Sequence, residues 1–180
     1  MDRPMNDIEA IQAVIGGDKE AFSWLVDRYY ARSLRFAVRM LQSQEDGEET
    51  TQDAFVRAYQ TLDRYEHRDR FEAWLFKILV NRCRTKAAGR NRGRWSEPLA
   101  EETLASRNEM ADPLLKRDMS RALAQLVPEQ REAFILKFVE DMTYEEMADV
   151  TGADVSALKM RVMRAREQLK KLLTREGDTE

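Results

Sequence analysis

The sequence predicts an all-α protein, made of two small helical domains joined by a flexible linker, with a helix-turn-helix in the C-terminal domain. Three observations carry this prediction. Apolar residues recur at helical spacing through most of the chain. Only 7 Gly and 4 Pro in 180 residues leave too few tight turns for an all-β architecture. Between Gly89 and Asp112 the periodicity is lost among Gly89, Gly93, Ser96, Pro98 and Ser106. We therefore expect an N-terminal domain over residues 1–90, a linker over 91–112, a C-terminal domain over 113–175 and a tail over 176–180.

The first helix is expected from Asp7 to Ile15, stopped by Gly16 and Gly17. Asp18 has the place of a cap for a long second helix, in which Phe22, Leu25, Val26, Tyr29, Phe36, Ala37, Met40 and Leu41 share one face. A third helix is expected from Glu45 to Leu62, with Ala54, Phe55, Ala58, Tyr59 and Leu62 inward, and a charged loop follows from Asp63 to Arg70. The fourth, Phe71 to Ala88, is apolar nearly all round its first half through Trp74, Leu75, Phe76, Ile78, Leu79 and Val80. Such a helix is buried on several sides. Its second half runs into a basic tail with Arg82, Lys86, Arg90, Arg92 and Arg94 and no acidic residue before Glu97.

The C-terminal part starts near Pro113 with a helix bearing Leu114, Leu115, Met119, Ala122, Leu123 and Leu126. Pro128 opens the next helix, where its missing N–H costs nothing. Thr143 and Glu146 have capping-box spacing ahead of a short helix with Tyr144, Met147 and Ala148 inward. A turn through Gly152 leads to a last helix from Val155 to Leu173.

Several function classes are excluded early. His67 is the only histidine, which removes His-pair metal sites and Ser/His/Asp triads, so neither metal nor cofactor is expected and the chain does not read as an enzyme. Cys83 stands alone and reads as a small packed residue in a protein of a reducing compartment, the cytoplasm. Asp2, Asp7 and Glu9 are wrong for a signal peptide, and no apolar run is long enough for membrane insertion. The net charge of −3 hides segregation of the charges along the chain.

The capped short helix, glycine turn and long helix have the layout of a helix-turn-helix. On the last helix Val155, Leu158, Val162, Ala165 and Leu169 form the packed stripe. Ser156, Ala157, Met160, Met163, Arg164 and Glu167 face the other way, flanked by Lys159, Arg161 and Arg166. That face suits a major groove, although a solvated basic helix gives the same pattern. Glu45, Asp46, Glu48, Glu49 and Asp53 form an acidic run with Gln52 beside it. This is either a solvated helix start or a ridge for a basic partner. Lys77, Asn81 and Arg84 share a stripe near Tyr65, His67, Phe71 and Trp74, which could hold phosphates and unstacked bases. By pattern alone Phe71 and Trp74 read as core, and Tyr65 and His67 are the freer rings.

Four segments, in order, resemble the extracytoplasmic-function (ECF) sigma factors of the bacterial housekeeping-sigma family: GDKEAFSWLVDRYY, EDGEETTQDAFVRAYQTLDRY, FEAWLFKILVNRCR and LVPEQREAFILKFVEDMTYEEMADVTGADVSALKMRVMRARE. The resemblance implies a factor that binds core RNA polymerase at its clamp coiled coil and flap, recognises the −10 and −35 elements of promoter DNA and helps open the strands. An anti-sigma factor is implied as a further partner. Asp46, Glu49, Gln52 and Asp53 would dock on the clamp. Tyr65, His67, Phe71, Lys77, Asn81 and Arg84 would meet the −10 element. Ser156, Ala157, Lys159, Met160, Arg161, Met163, Arg164 and Arg166 would meet the −35 element. Gly47, Thr50 and Thr51 depart from the family pattern, which predicts a late start or a weaker third helix. Met160 stands where a small polar residue is usual. The alternative reading is a stand-alone helix-turn-helix regulator that binds its operator without polymerase.

Overall fold

The computed structural model describes residues 6–66, 70–90 and 113–177, and every regular element among them is helical. The linker, the basic residues Arg92 and Arg94, His67 and the side chains of Leu114 and Leu115 lie outside the described residues. No helix among those described is long and apolar enough to cross a membrane.

Helix α1 spans Asp7–Ile15, as expected, and is started by a capping box: Asn6 Oδ1 accepts from the Glu9 amide at 2.9 Å, and Glu9 Oε2 accepts from the Asn6 amide at 3.0 Å. Helix α2 spans Ala21–Leu41, and the Asp18 carboxylate takes the amides of Glu20 and Ala21 at 3.0 and 3.3 Å. Helix α3 spans Gln44–Thr61, continues as a 3-10 turn over Leu62–Arg64, and is capped by Ser43.

The expected late start of α3 is therefore not seen, and packing gives the reason. Gly47 lies against α2 so closely that a Cβ there would collide with the Val38 side chain and stand 3.0 Å from its Cα. The glycine lets the helices approach, and Thr50 and Thr51 are buried in the same seam. Thr51 Oγ1 donates to the Gly47 carbonyl at 2.7 Å, so its hydroxyl enters the core already satisfied. Tyr59 departs in the opposite direction: its ring meets Phe22 edge-on at 5.1 Å, yet the residue is 38% exposed rather than inward.

Helix α4 spans Phe71–Arg90. With α1, α2 and α3 it encloses a first core of Ile11, Leu25, Tyr29, Phe55, Leu62, Phe71 and Leu75. Helices α5 (Pro113–Ala124), α6 (Pro128–Phe138), α7 (Tyr144–Thr151) and α8 (Val155–Gly177) form the C-terminal part, where Leu123, Leu126, Ala165 and Leu169 close a small core of their own.

The largest core belongs to both parts. Phe36 and Met40 of α2 and Phe76, Val80 and Cys83 of α4 pack in one cluster with Ile135 and Leu136 of α6, Met147 of α7 and Leu158 of α8. This is why α4 is apolar nearly all round: the first core covers one side and the C-terminal helices cover another. Polar groups stitch the same seam. Arg84 of α4 makes a bidentate pair with Glu132 of α6, its Nε at 2.8 Å from Oε2 and its Nη2 at 2.6 Å from Oε1. Its Nη1 donates to the Thr151 carbonyl at 3.0 Å, filling an orphan acceptor at the end of α7. Arg32 of α2 reaches the Glu140 carboxylate at 2.6 Å and carbonyl at 3.0 Å, and also pairs with Glu72. Arg131 of α6 gathers the carbonyls of Leu123, Ala124 and Leu126 at the end of α5, and extends Nη1 to the Met40 carbonyl at 2.8 Å.

Candidate nucleic-acid interface

The helix-turn-helix is built by local chemistry. Thr143 and Glu146 form the expected capping box: Glu146 Oε2 accepts from the Thr143 amide at 2.7 Å, and Thr143 Oγ1 accepts from the Glu146 amide at 3.2 Å. The Thr143 amide and hydroxyl hold the Glu146 carboxyl below its ordinary range. Helix α7 ends at Gly152, whose φ of 71° is the left-handed conformation that a glycine adopts without strain. Helix α8 then starts and buries Leu158, Val162, Ala165 and Leu169, while Val155 is half-buried.

The opposite face is open. Ser156, Lys159, Met160, Met163, Arg164 and Arg166 are exposed, and Ala157 and Arg161 are half-buried at its edges. Two of the cations rest on rings. Lys159 Nζ lies 5.6 Å from the Tyr144 ring, which Lys137 also approaches at 5.3 Å, and the Arg166 guanidinium lies 5.9 Å from the Phe138 ring. Arg166 is thus on the flank, while Arg164 projects from the centre of the face.

On α3, Glu49, Gln52 and Asp53 are exposed and Asp46 is half-buried. The acidic run is not free of cations in space, because Lys86 of α4 folds onto it. Its Nζ lies 2.5 Å from Glu49 Oε2 and 3.3 Å from Asp46 Oδ1, and both carboxylates hold the ammonium above its ordinary pKa. A residue expected in the basic tail is therefore spent on the acidic ridge. Asp53 and Gln52 stay at its open end.

The third group of candidates is divided by the fold. Lys77 and Asn81 are exposed one turn apart on α4. Phe71 is 1% exposed and Tyr65 is 9% exposed, so both are core, and the expectation of a free Tyr65 ring is corrected. Tyr65 packs on Trp74 and Phe71 at 5.1 and 6.0 Å, and its hydroxyl accepts from the Arg70 amide at 3.0 Å. Arg84 lies on the stripe but is committed to Glu132 and Thr151 across the seam. Glu132 on α6 and Glu140 in the turn after it are buried and paired with arginines of the N-terminal part, which the sequence does not reveal because a lone glutamate on a helix or in a turn reads as surface.

Comparison with known proteins finds two family matches along the chain. Residues 25–93 match the Sigma-70 region 2 family and residues 116–169 match Sigma-70, region 4. The chain is 32% identical to the RNA polymerase sigma factor CarQ of Myxococcus xanthus, over 87% of this chain and 91% of that protein. It is 27% identical to the ECF RNA polymerase sigma factor SigW of Bacillus subtilis, over 91% and 94%. Among solved structures it resembles the sigma factor RpoE in complex with the anti-sigma factor NepR from Bartonella quintana, with a TM-score of 0.72 and 29% identity over 86% of this chain and 98% of that one. It also resembles CnrH in complex with the cytosolic domain of CnrY, with a TM-score of 0.71 and 28% identity over 93% and 97%. With a helix-turn-helix that presents a cationic face, an acidic ridge on α3 and both sigma regions in order, the chain belongs to the ECF RNA polymerase sigma factors.

Proposed function

We propose that the chain docks on core RNA polymerase through Glu49, Gln52 and Asp53, places α8 in the major groove of a −35 element, and uses Lys77 and Asn81 along an opened −10 element. The observation that carries the reading is the face of α8, where Arg164 stands exposed at the centre and Arg166 at the flank, above a fully packed stripe. Phosphoryl transfer belongs to the polymerase, and this chain contributes position and specificity.

The −10 and −35 elements are about 25 base pairs apart, or ~85 Å along B-form DNA at ~3.4 Å per pair. A compact chain of this size is roughly 40 Å across. One closed body cannot reach both elements, so polymerase must draw α5–α8 away from α2 and α4 and hold the two readers at the promoter spacing. RpoE and CnrH were each captured with a partner chain, and the relationship supports a protein partner of the anti-sigma kind for this chain too. The test is transcription: with core polymerase and no other factor, the chain should direct initiation from promoters selected by the mixture. Tight operator binding by the chain alone, unaffected by polymerase, would instead establish the stand-alone regulator.

A further inference from the structure

We infer that Met160 and Met163 read the 5-methyl groups of thymines in the upstream element. This rests on the reading of α8 as the −35 reader and goes beyond it by naming the chemistry recognised. The two side chains are 44% and 45% exposed, on the face of α8 opposite Leu158, Val162 and Ala165. Lysine, glutamine or glutamate would serve the helix as well as methionine and would be better solvated, so folding alone does not account for two methionines there. Phe138, another exposed apolar side chain, has Arg166 over its ring. The methionines instead sit near the centre of a face bordered by Lys159, Arg161 and Arg166, with Arg164 beside them and Glu167 a turn further on.

The cationic border fixes the class of partner, since it complements paired phosphate backbones on either side of a groove. The apolar centre fixes what is read between them. A thioether side chain cannot donate to the O6 and N7 of guanine or pair with the edge of adenine, and the apolar group that a base pair offers in the major groove is the thymine methyl. Three residues of helix rise by ~4.5 Å, close to one base step of ~3.4 Å, so the two methionines meet methyls one or two steps apart. Arg164 follows Met160 by four positions and has the donors for a guanine beside them. The upstream element of this chain therefore contains two near-adjacent thymines, on either strand, next to a guanine.

Holoenzyme assembled from the full chain and core polymerase is first used to select its upstream element from randomised duplexes. Each thymine of the selected element is then replaced singly by deoxyuracil, which removes the methyl and leaves the hydrogen-bonding edge intact. At two positions the affinity should drop about three- to fivefold, the loss expected for one desolvated methyl. Met160→Ala should abolish the sensitivity at one position and Met163→Ala at the other, while Met160→Leu retains it. If a defined element is selected but deoxyuracil is tolerated at every thymine, the inference is overturned and the reading of α8 stands. If no upstream element emerges, the reading of α8 fails instead. Methionine variants that weaken a protein complex while the deoxyuracil response persists would assign the patch to that partner and overturn the inference as well.

Discussion

The pair between Arg84 and Glu132 offers an asymmetric perturbation. The Glu132 side chain is 3% exposed, whereas that of Arg84 is 38% exposed. Arg84→Ala strands a carboxylate in the seam, a change that costs about 3–5 kcal/mol when the remaining charge is buried. Glu132→Ala leaves a guanidinium that still donates to the Thr151 carbonyl and can take water, so its cost is closer to about 1–2 kcal/mol. Replacing both, Arg84→Met with Glu132→Leu, should be nearly neutral, because neither charge is left behind. Cys83 is a built-in reporter. It is the only thiol in the chain, it is 0% exposed within the shared core, and its pKa is pushed up, first by burial and then by the charge of Glu132. At ~1.4 kcal/mol per tenfold, Arg84→Ala should speed its labelling by an aromatic disulfide at least ~100-fold. Glu132→Ala should speed it about tenfold, part of that from the lost repulsion. Helix content, followed by circular dichroism, separates opening of the seam from unfolding. Equal labelling of the two single variants, or no change in Arg84→Ala, would refute the assignment of this pair as the polar latch of the seam.

Other perturbations test other parts of the account. Gly47→Ala drives a methyl into Val38 and should destabilise the fold by about 1–3 kcal/mol in urea titration, although alanine is the better helix former. Tyr29 donates to Asp7 at 2.5 Å, and burial, followed by the bond to Asp7, pushes its pKa up from 10.0 to about 12. The folded value exceeds the unfolded one, so this contribution is complete below ~10, fades as the pH rises towards ~12, and disappears from the stability profile in Tyr29→Phe. Glu49→Lys with Asp53→Lys should abolish binding to core polymerase and leave helix content intact, measured by co-sedimentation and circular dichroism. Arg164→Ala should relax discrimination at one upstream position by about 1–3 kcal/mol, whereas Arg166→Ala should weaken all sequences alike and reduce the salt slope by roughly one, in binding measured at several salt concentrations.

The helices were legible because their signals are local. Asp18, Thr143 and Gly152 do at the helix ends what their positions in the sequence imply, and the packed stripe of α8 follows from spacing alone. The seam left only one trace, the excess of apolar residues on α4, and its polar partners were hidden because Arg32, Arg84, Glu132 and Glu140 are charged and separated by 48 or more positions. Gly47 and Thr51 look like weaknesses when helix propensity is considered alone, and become intelligible once the approach of α3 to α2 is seen. Tyr65 falls in a charged loop, where nothing in the pattern indicates that its ring turns inward onto Phe71 and Trp74. The acidic ridge was visible, but its partner Lys86 comes from another helix, 37 positions away from Glu49.

On the proposed function, one closed chain becomes two separated promoter readers when it works. Labels at Arg57→Cys on α3 and Lys170→Cys on α8, both exposed sites, leave the buried Cys83 unlabelled and report the separation of the two parts by energy transfer. The free chain should give a single short distance, within the roughly 40 Å of a compact body. In complex with core polymerase and promoter DNA, the distance should lengthen beyond about 60 Å, as reading two elements ~85 Å apart requires. An unchanged short distance in a complex that opens its promoter would contradict the account.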